Sequence, residues 1–307
     1  MSPYPLMPLQ NLRKLKVSNY MHQYEIGVVG LGAIGEPVAH NLSSKFQIQI
    51  WNRNPQKYLN FKGNSVSVAQ TLNSFDAAVI LTVLPNSKEV IEVLNNGLLE
   101  TLENDDLLVV MGTVSPESMN TINELVGTKG ARAVDAPVSG GDVGAQEARL
   151  SIMVGGSSQD FARLLPFFNT MGNSIKHVGE LGAAQGLKAC NQIIVGGNLV
   201  AIAEALSLSR RFGISDQDFF DVISNGLAGS TALNTKWPKL ASKDFSDGGK
   251  SSFQLKDLLI ALEAANGAGL NLPLTQLLSD LYQEHVDSGN SDLDHSSIIK
   301  SYESDIG

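Results

Sequence analysis

The sequence predicts an α/β domain built on a parallel sheet, followed by an all-helical domain. Two observations predict it. Up to Gly179, short aliphatic runs alternate with segments of helical spacing, the pattern of parallel strands joined by crossover helices. Beyond Gly179 no run reads as a strand, and Leu187–Phe212 is one apolar-rich stretch without proline, too long for a strand and read as a helix.

The elements follow in order. Tyr24–Val29 is a β-rich run that stops at glycines. Helical spacing then begins near Ala33, with Val38, Ala39 and Leu42 on one side. Pro37 suits only the first turn of that helix. Further strands are expected at Ile48–Trp51, Ala77–Leu84, Leu107–Met111, Arg132–Asp135 and Ser151–Val154. Past the long helix, helical patterns cover Asp216–Ser224, Leu255–Ala268 and Thr275–His285. The expected division is a flexible arm over residues 1–22, an α/β domain over 23–184 and a helical domain over 185–307, with no loose linker between the last two. The first twenty residues carry Arg13, Lys14 and Lys16 and no acid. They read as an arm, or as a stretch ahead of a folded part that begins at Met21; a transit peptide would share that composition.

Composition excludes several classes. The chain has 307 residues, 22 basic against 31 acidic, and a net charge of −9, which argues against nucleic acid as a partner. Cys190 is the one cysteine, so an intrachain disulfide framework and a thiolate zinc site are excluded and a reducing, cytoplasmic setting is expected. The apolar stretches Ala77–Leu84 and Leu107–Met111 are too short to cross a bilayer, so no membrane is expected. His22, His40, His177, His285 and His295 show no ligand spacing, and no metal is expected.

Three motifs carry chemistry. Gly30-Leu31-Gly32-Ala33-Ile34-Gly35 is G-x-G-x-x-G between a strand and a helix, the context a dinucleotide fingerprint requires. Gly30 allows the tight turn, Gly32 lets backbone approach a pyrophosphate, and Gly35 lets helix pack on strand. The α/β part is therefore expected to be a Rossmann-type dinucleotide-binding domain. No Asp or Glu occurs between Glu36 and Asp76, whereas Lys45, Arg53, Lys57 and Lys62 do. An acid there would bind a ribose 2′-hydroxyl and repel a 2′-phosphate, and Arg53 would attract the phosphate. Asn52, Arg53 and Asn54 are read as the phosphate-reading loop, and NADP is expected in preference to NAD.

Ser139-Gly140-Gly141, at the end of a strand, offers a hydroxyl and approachable amides, a receptor for a substrate carboxylate. Lys188, Asn191 and Gln192 sit at i, i+3 and i+4 and so share one helix face. That face opens the long helix at the domain junction, where a cleft is expected. Burial would lower the lysine pKa and suit it to proton transfer.

On these motifs, together with Leu84-Pro85, Gly112-Thr113-Val114-Ser115-Pro116, Asp135–Gly141 and Lys256-Asp257-Leu258, the chain resembles the β-hydroxyacid dehydrogenase family, which includes 3-hydroxyisobutyrate dehydrogenases and glyoxylate/succinic semialdehyde reductases. The resemblance runs from Ile26 to about Ser301. It implies that Leu84, Pro85 and Thr113 contact the nicotinamide half of the cofactor and that Lys256 reaches the cofactor from the helical domain. It implies that Ser139, Gly140, Gly141 and Gln192 bind substrate, that Lys188 is the catalytic lysine and that Asn191 orients substrate. It also implies pairing into homodimers or homotetramers through the helical part. Three positions depart from the family pattern: Gln192 stands where a second asparagine is usual, and Ala148 and Ala184 where glycine is usual.

The expected reaction is hydride transfer between NADP(H) and a small β-hydroxy acid or carboxylate-bearing aldehyde, with Lys188 as general acid and base. Two alternatives are an imine reductase-like enzyme, which Lys188 argues against, and a non-catalytic NADP-binding sensor, which would need neither Lys188 nor Asn191. The substrate itself is not legible. Residues around Leu227–Trp237 are expected to shape its pocket.

Overall fold

The computed structural model describes residues 22–303. The expectation for residues 1–22 lies outside these, except for its last member, His22. The strands are β1 (Ile26–Val29), β2 (Ile48–Trp51), β3 (Val66–Val68), β4 (Val79–Thr82), β5 (Leu107–Val110), β6 (Arg132–Asp135), β7 (Val138–Ser139), β8 (Leu150–Gly155) and β9 (Gly172–Gly179). They form one sheet in the order β3-β2-β1-β4-β5-β6-β8-β7, with β9 also on β8. The first six of that order are parallel. The order reverses between β1 and β4, the switch point at which ligands bind in open α/β sheets.

The central parallel strands β4 and β5 read as aliphatic runs because helices cover both faces. Val79 and Leu81 of β4 point into one core with Val38 and Leu42 of α1 (Gly35–Ser43) and Phe168 of α5 (Ser158–Phe168). Ile80 points the other way, toward Val90 and Leu94 of α2 (Ser87–Asn95) and Ile122 of α3 (Pro116–Gly127). Side-chain caps start several helices. Asn86 accepts from the Glu89 amide and Ser115 from the Ser118 amide, each offsetting an orphan N–H.

Three corrections to the expected elements arise. The sheet is not parallel throughout, since β8 runs antiparallel to β6 and β7. The short β3 and the polar β9, Gly172–Gly179, were not expected; β9 gains its place from backbone pairing with β8 rather than from an aliphatic run. The stretch read as pocket-shaping contains a helix, α8 (Thr231–Ser242), which carries Pro238 inside it.

The helical part comprises α6 (Ala183–Arg211), α7 (Asp216–Ser224), α8, α9 (Ser251–Gly267) and α10 (Pro273–His285), then short turns and α11 (Lys300–Glu303). By length and composition α6 could cross a membrane. Here it is a core helix, and Leu199, Ala203 and Leu206 pack with Leu258, Leu278 and Tyr282 of α9 and α10. Its burial is one-sided, because Ile194, Leu208 and neighbouring Phe212 are exposed. Trp237 is buried in the same core, stacked on Phe220 at 4.5 Å, whereas Leu227 is fully exposed.

Two local features answer the sequence directly. Ala148, in a place where glycine is usual, has φ of 54°, the left-handed region that disfavours a Cβ. His22 is held rather than loose. Its ring bonds Asp76 at 2.8 Å and Asp106 at 3.1 Å. Its bond to Asp106, reinforced by Asp76, raises its pKa to about 9 against the loss from burial. A raised histidine pKa contributes stability that is complete below the ordinary value near 6.5 and lost as pH rises through the folded value. His22→Gln is therefore expected to lower stability by about 2 kcal/mol at pH 6. The difference from wild type should fade toward pH 10 in paired denaturant titrations; a pH-independent difference would remove the ion pair as the cause.

Candidate functional site

The site is assembled from the turns that follow β1, β4 and β5, which interlock at the carboxyl edge of the sheet. Gly30 has φ of 98°, and a Cβ there would lie 2.6 Å from the Val83 carbonyl oxygen. A Cβ at Gly35 would overlap the Gly30 carbonyl, and one at Gly112 would overlap the Leu84 carbonyl. These glycines are demanded by the protein itself. Gly32 differs, since a Cβ there would meet nothing within 4 Å. It opens instead onto a cleft of about 370 Å³ walled by Ala33, Glu36, Pro37, His40, Asn41 and Gln146. The bare backbone of Gly32 and the first turn of α1 thus border this cleft.

The loop after β2 is only partly free to meet a ligand. Asn52 Oδ1 accepts from the Leu31 amide at 2.8 Å, so its side chain braces the glycine turn. Asn54 Oδ1 accepts from the Gln56 amide and caps the following turn. Arg53 and Asn54 are exposed, and the Arg53 guanidinium lies 3.1 Å from Glu92. Lys57 lies 2.9 Å from Glu36. The acid-free window in the sequence is therefore met in space by two carboxylates from outside it.

Asp135, the last residue of β6, is fully buried. Its two carboxylate oxygens accept from the Gly182 and Gln185 amides, each at 2.9 Å. A carboxylate thus sits at the positive start of α6 and takes up amides that would otherwise lack partners. Burial pushes its pKa up, against the pull of those N–H groups. Gly155 leaves the room it needs, for a Cβ there would overlap the Asp135 carboxylate. Gln185, also fully buried, accepts from the Val114 amide at 3.1 Å and donates to the Gly112 carbonyl at 2.9 Å. These contacts pin the start of α6 to the ends of β5 and β6.

One turn further on, Lys188 is buried. Its Nζ donates to Gln192 Oε1 at 3.1 Å, and Asn191 Nδ2 donates to the same oxygen at 2.8 Å. The three predicted residues are thus brought together on one face. Gln192 Nε2 continues to Asp257 Oδ2 of α9 at 2.8 Å. Burial pushes the Lys188 amine down, with Asp257 opposing that shift and Lys256 adding to it. Lys256 Nζ donates to the carbonyls of Pro85 at 2.6 Å and Thr113 at 2.8 Å. It joins the helical part to the turns after β4 and β5. A second cavity, about 200 Å³, lies there against Asn86, Thr113, Ser115, Lys256 and Glu263.

Ser139, Gly140 and Gly141 stand at the junction of β7 and α4 (Gly141–Gln146), with positive φ at both glycines. Ser139 pairs with Ser151 of β8. Among the described residues no hydrogen bond links this turn to Lys188 or Asn191, and neither cavity is lined by the two groups. Sequence reasoning missed Asp257 as a partner of Gln192, and missed Gln185 and Asp135 as the clamp. The motif Lys256-Asp257 was the available signal for the first. A buried glutamine in the first turn of a helix leaves no signal of its partners. Among the described residues no cluster of His, Cys, Asp and Glu side chains forms a metal-holding group.

Two family models match the chain in tandem. The NAD binding domain of 6-phosphogluconate dehydrogenase matches residues 25–179. The NAD-binding domain of NADP-dependent 3-hydroxyisobutyrate dehydrogenase matches residues 182–302. The chain is 33% identical to a 2-hydroxy-3-oxopropionate reductase of Escherichia coli, covering 91% of this chain and 97% of that one. It is 32% identical to a 3-hydroxyisobutyrate dehydrogenase of Pseudomonas aeruginosa, covering 91% and 98%. Its fold is similar to that of a 3-hydroxyisobutyrate dehydrogenase from Mycobacterium tuberculosis solved with L-serine, with a TM-score of 0.81, 30% identity and coverage of 91% and 98%.

The glycine geometry separates fold from binding. Gly32→Ala meets no neighbour, so its melting temperature is expected to stay at or slightly above that of wild type. Dinucleotide affinity, followed by quenching of protein fluorescence, should fall at least tenfold (roughly 1.4 kcal/mol). Unchanged affinity would mean that the dinucleotide does not approach this backbone.

Proposed function

The chain belongs to the β-hydroxyacid dehydrogenase family, and we propose that it interconverts a small β-hydroxy acid and the corresponding carboxylate-bearing carbonyl compound with NADP(H) in preference to NAD(H). It is an NAD(P)-dependent oxidoreductase that acts on a hydroxyl group. The observation that carries the finer reading is the buried Lys188 beside Asn191, on a helix whose start is pinned to the strand ends.

When bound, the dinucleotide supplies hydride to the carbonyl carbon in reduction and accepts it in oxidation. Lys188 gives a proton to the carbonyl oxygen in the first direction and removes the hydroxyl proton in the second. Its lowered pKa brings both protonation states closer to neutral pH. Asn191 holds the same oxygen by hydrogen bonding. Ser139, with the positive-φ amides of Gly140 and Gly141, receives the carboxylate. The L-serine solved with the M. tuberculosis relative is itself a β-hydroxy acid, which supports this substrate class. Leu84, Pro85 and Thr113 border the nicotinamide half, and Lys256 approaches it from α9. Arg53, the exposed cation beside the glycine turn, takes the 2′-phosphate.

In this reading residues 23–184 bind cofactor, and residues 185–307 complete the substrate site and carry the subunit contact. The exposed Ile194, Leu259, Leu274 and Leu277 of α6, α9 and α10 support pairing of two or four copies through that part. A cytoplasmic location accords with the lone cysteine.

Glyoxylate, succinic semialdehyde, tartronate semialdehyde and 3-hydroxyisobutyrate form the test panel, each assayed with both dinucleotides at the nicotinamide absorbance. Turnover of at least one, faster with the phosphorylated dinucleotide, is the expected result. Tight NADPH binding without any turnover would favour a sensor. Lys188→Ala is expected to lower kcat by about 10²–10⁴ while NADPH still binds. Near-normal turnover in that variant would sink the proton-transfer role. Arg53→Ala should raise the NADPH KM by roughly 10-fold or more, the loss of one charged hydrogen bond, and leave the NADH KM near wild type; equal effects on both would end the 2′-phosphate assignment.

A further inference from the structure

We infer that Gln192 and Asp257 are positioning residues for Lys188: Asp257, through Gln192, fixes where Lys188 points, and by its charge sets the pH at which Lys188 turns from proton donor to proton acceptor. The inference rests on the catalytic reading of Lys188. It starts from a chain of contacts across the α6–α9 seam. Lys188 Nζ and Asn191 Nδ2 both donate to Gln192 Oε1, Gln192 Nε2 donates to Asp257 Oδ2, and Asp257 Oδ1 lies 3.1 Å from Lys256 Nζ.

The donor and acceptor types leave Gln192 one orientation. Two donors face its oxygen and a carboxylate faces its nitrogen, so a flipped amide would oppose donor to donor and acceptor to acceptor. Its length matters as well. The asparagine usual at this place in the family is one methylene shorter, and the extra reach lets a side chain on α6 meet the carboxylate on α9. Gln254 adds a brace, donating to the Gln192 backbone carbonyl at 3.0 Å and contacting His295 Nδ1 at 3.2 Å. Asp257 is buried, and its Oδ1 takes no well-formed hydrogen bond. Its charge is therefore shared between the Lys256 ammonium 3.1 Å away and the Lys188 ammonium beyond Gln192.

The charged or titratable groups around Lys188 are few. Asp257 and Lys256 face it from α9. His295 lies beyond Gln254, pushed down to about 4 chiefly by burial and then by Lys236. Lys236 of α8 is itself bonded to Asp294. Asp135 of β6 is taken up by the amides at the start of α6. No residue of β8 is charged. Asp257 is thus the carboxylate in the seam that favours the ammonium form of Lys188.

Asp257→Asn, which keeps the shape and removes the charge, is compared with Gln192→Leu, which keeps the charge and removes the relay. The pH dependence of Lys188 acetylation by acetic anhydride, read by peptide mass spectrometry on the full chain without dinucleotide, reports its protonation apart from turnover. In Asp257→Asn the labelling midpoint is expected to move at least one unit lower, tenfold in acid dissociation. The fall of kcat/KM with rising pH in the reductive direction should move with it. Gln192→Leu should shift the midpoint less, lower kcat at least tenfold and change substrate KM less than threefold. An unmoved midpoint in Asp257→Asn, or wild-type kcat in Gln192→Leu, would overturn the inference. A midpoint that moves while the kinetic profile stays would uphold the coupling and remove Lys188 from the reaction instead.

Discussion

The site depends on one buried carboxylate. Asp135 ends a central strand and accepts the amides that begin the longest helix. A carboxylate with no water would be costly, and a helix start with no acceptor would be too. Each supplies what the other lacks, and Gln185 extends the junction to the neighbouring strand end. Lys188 follows one turn later, so its position relative to the sheet is inherited from this joint. Gly155 is part of the same arrangement because any side chain there would occupy the carboxylate's space.

A second constraint runs through the helical part. Lys188, Gln192, Gln254 and Asp257 form a buried polar seam between two helices that are otherwise packed by aliphatic side chains. Such a seam is favourable only when its partners are matched in type and direction. Here the order of donors and acceptors is matched from Lys188 to Asp257, and the residual imbalance falls on Asp257 Oδ1, next to Lys256. Lys256 in turn holds two carbonyls of the α/β part. The proton-bearing group and the contact between the halves are thus joined by a short path of named atoms.

Much of the fold was legible because its signals are local. Both faces of β1, β4 and β5 are covered, so their sequences are almost wholly apolar. The turn glycines Gly30 and Gly35 are obligatory for steric reasons that act within a few residues or across adjacent strands. The grouping of Lys188, Asn191 and Gln192 followed from helical spacing alone. What stayed hidden depends on distant partners. β9 has no aliphatic run and exists because β8 offers an edge, and α8 was masked by Pro238. Asp135 read as one end of a motif, yet its partners lie 47 and 50 residues away. Asn52 read as a ligand-facing residue, yet its oxygen braces the glycine turn.

The pairing of Arg53 with Glu92 and of Lys57 with Glu36 bears on how this surface meets any anion. A bare cationic site recruits mobile salt ions, and a ligand that expels them gains entropy that shrinks as salt is added. Here the counter-ions are tethered to the chain, and a ligand that exchanges with them releases nothing to the solvent. Exposed pairs of this kind are worth little individually, so the exchange costs little, and the resulting attraction is short in range and weakly dependent on ionic strength. If this loop meets the 2′-phosphate as proposed, it does so less as a beacon that draws anions from a distance than as a lock tried only on contact.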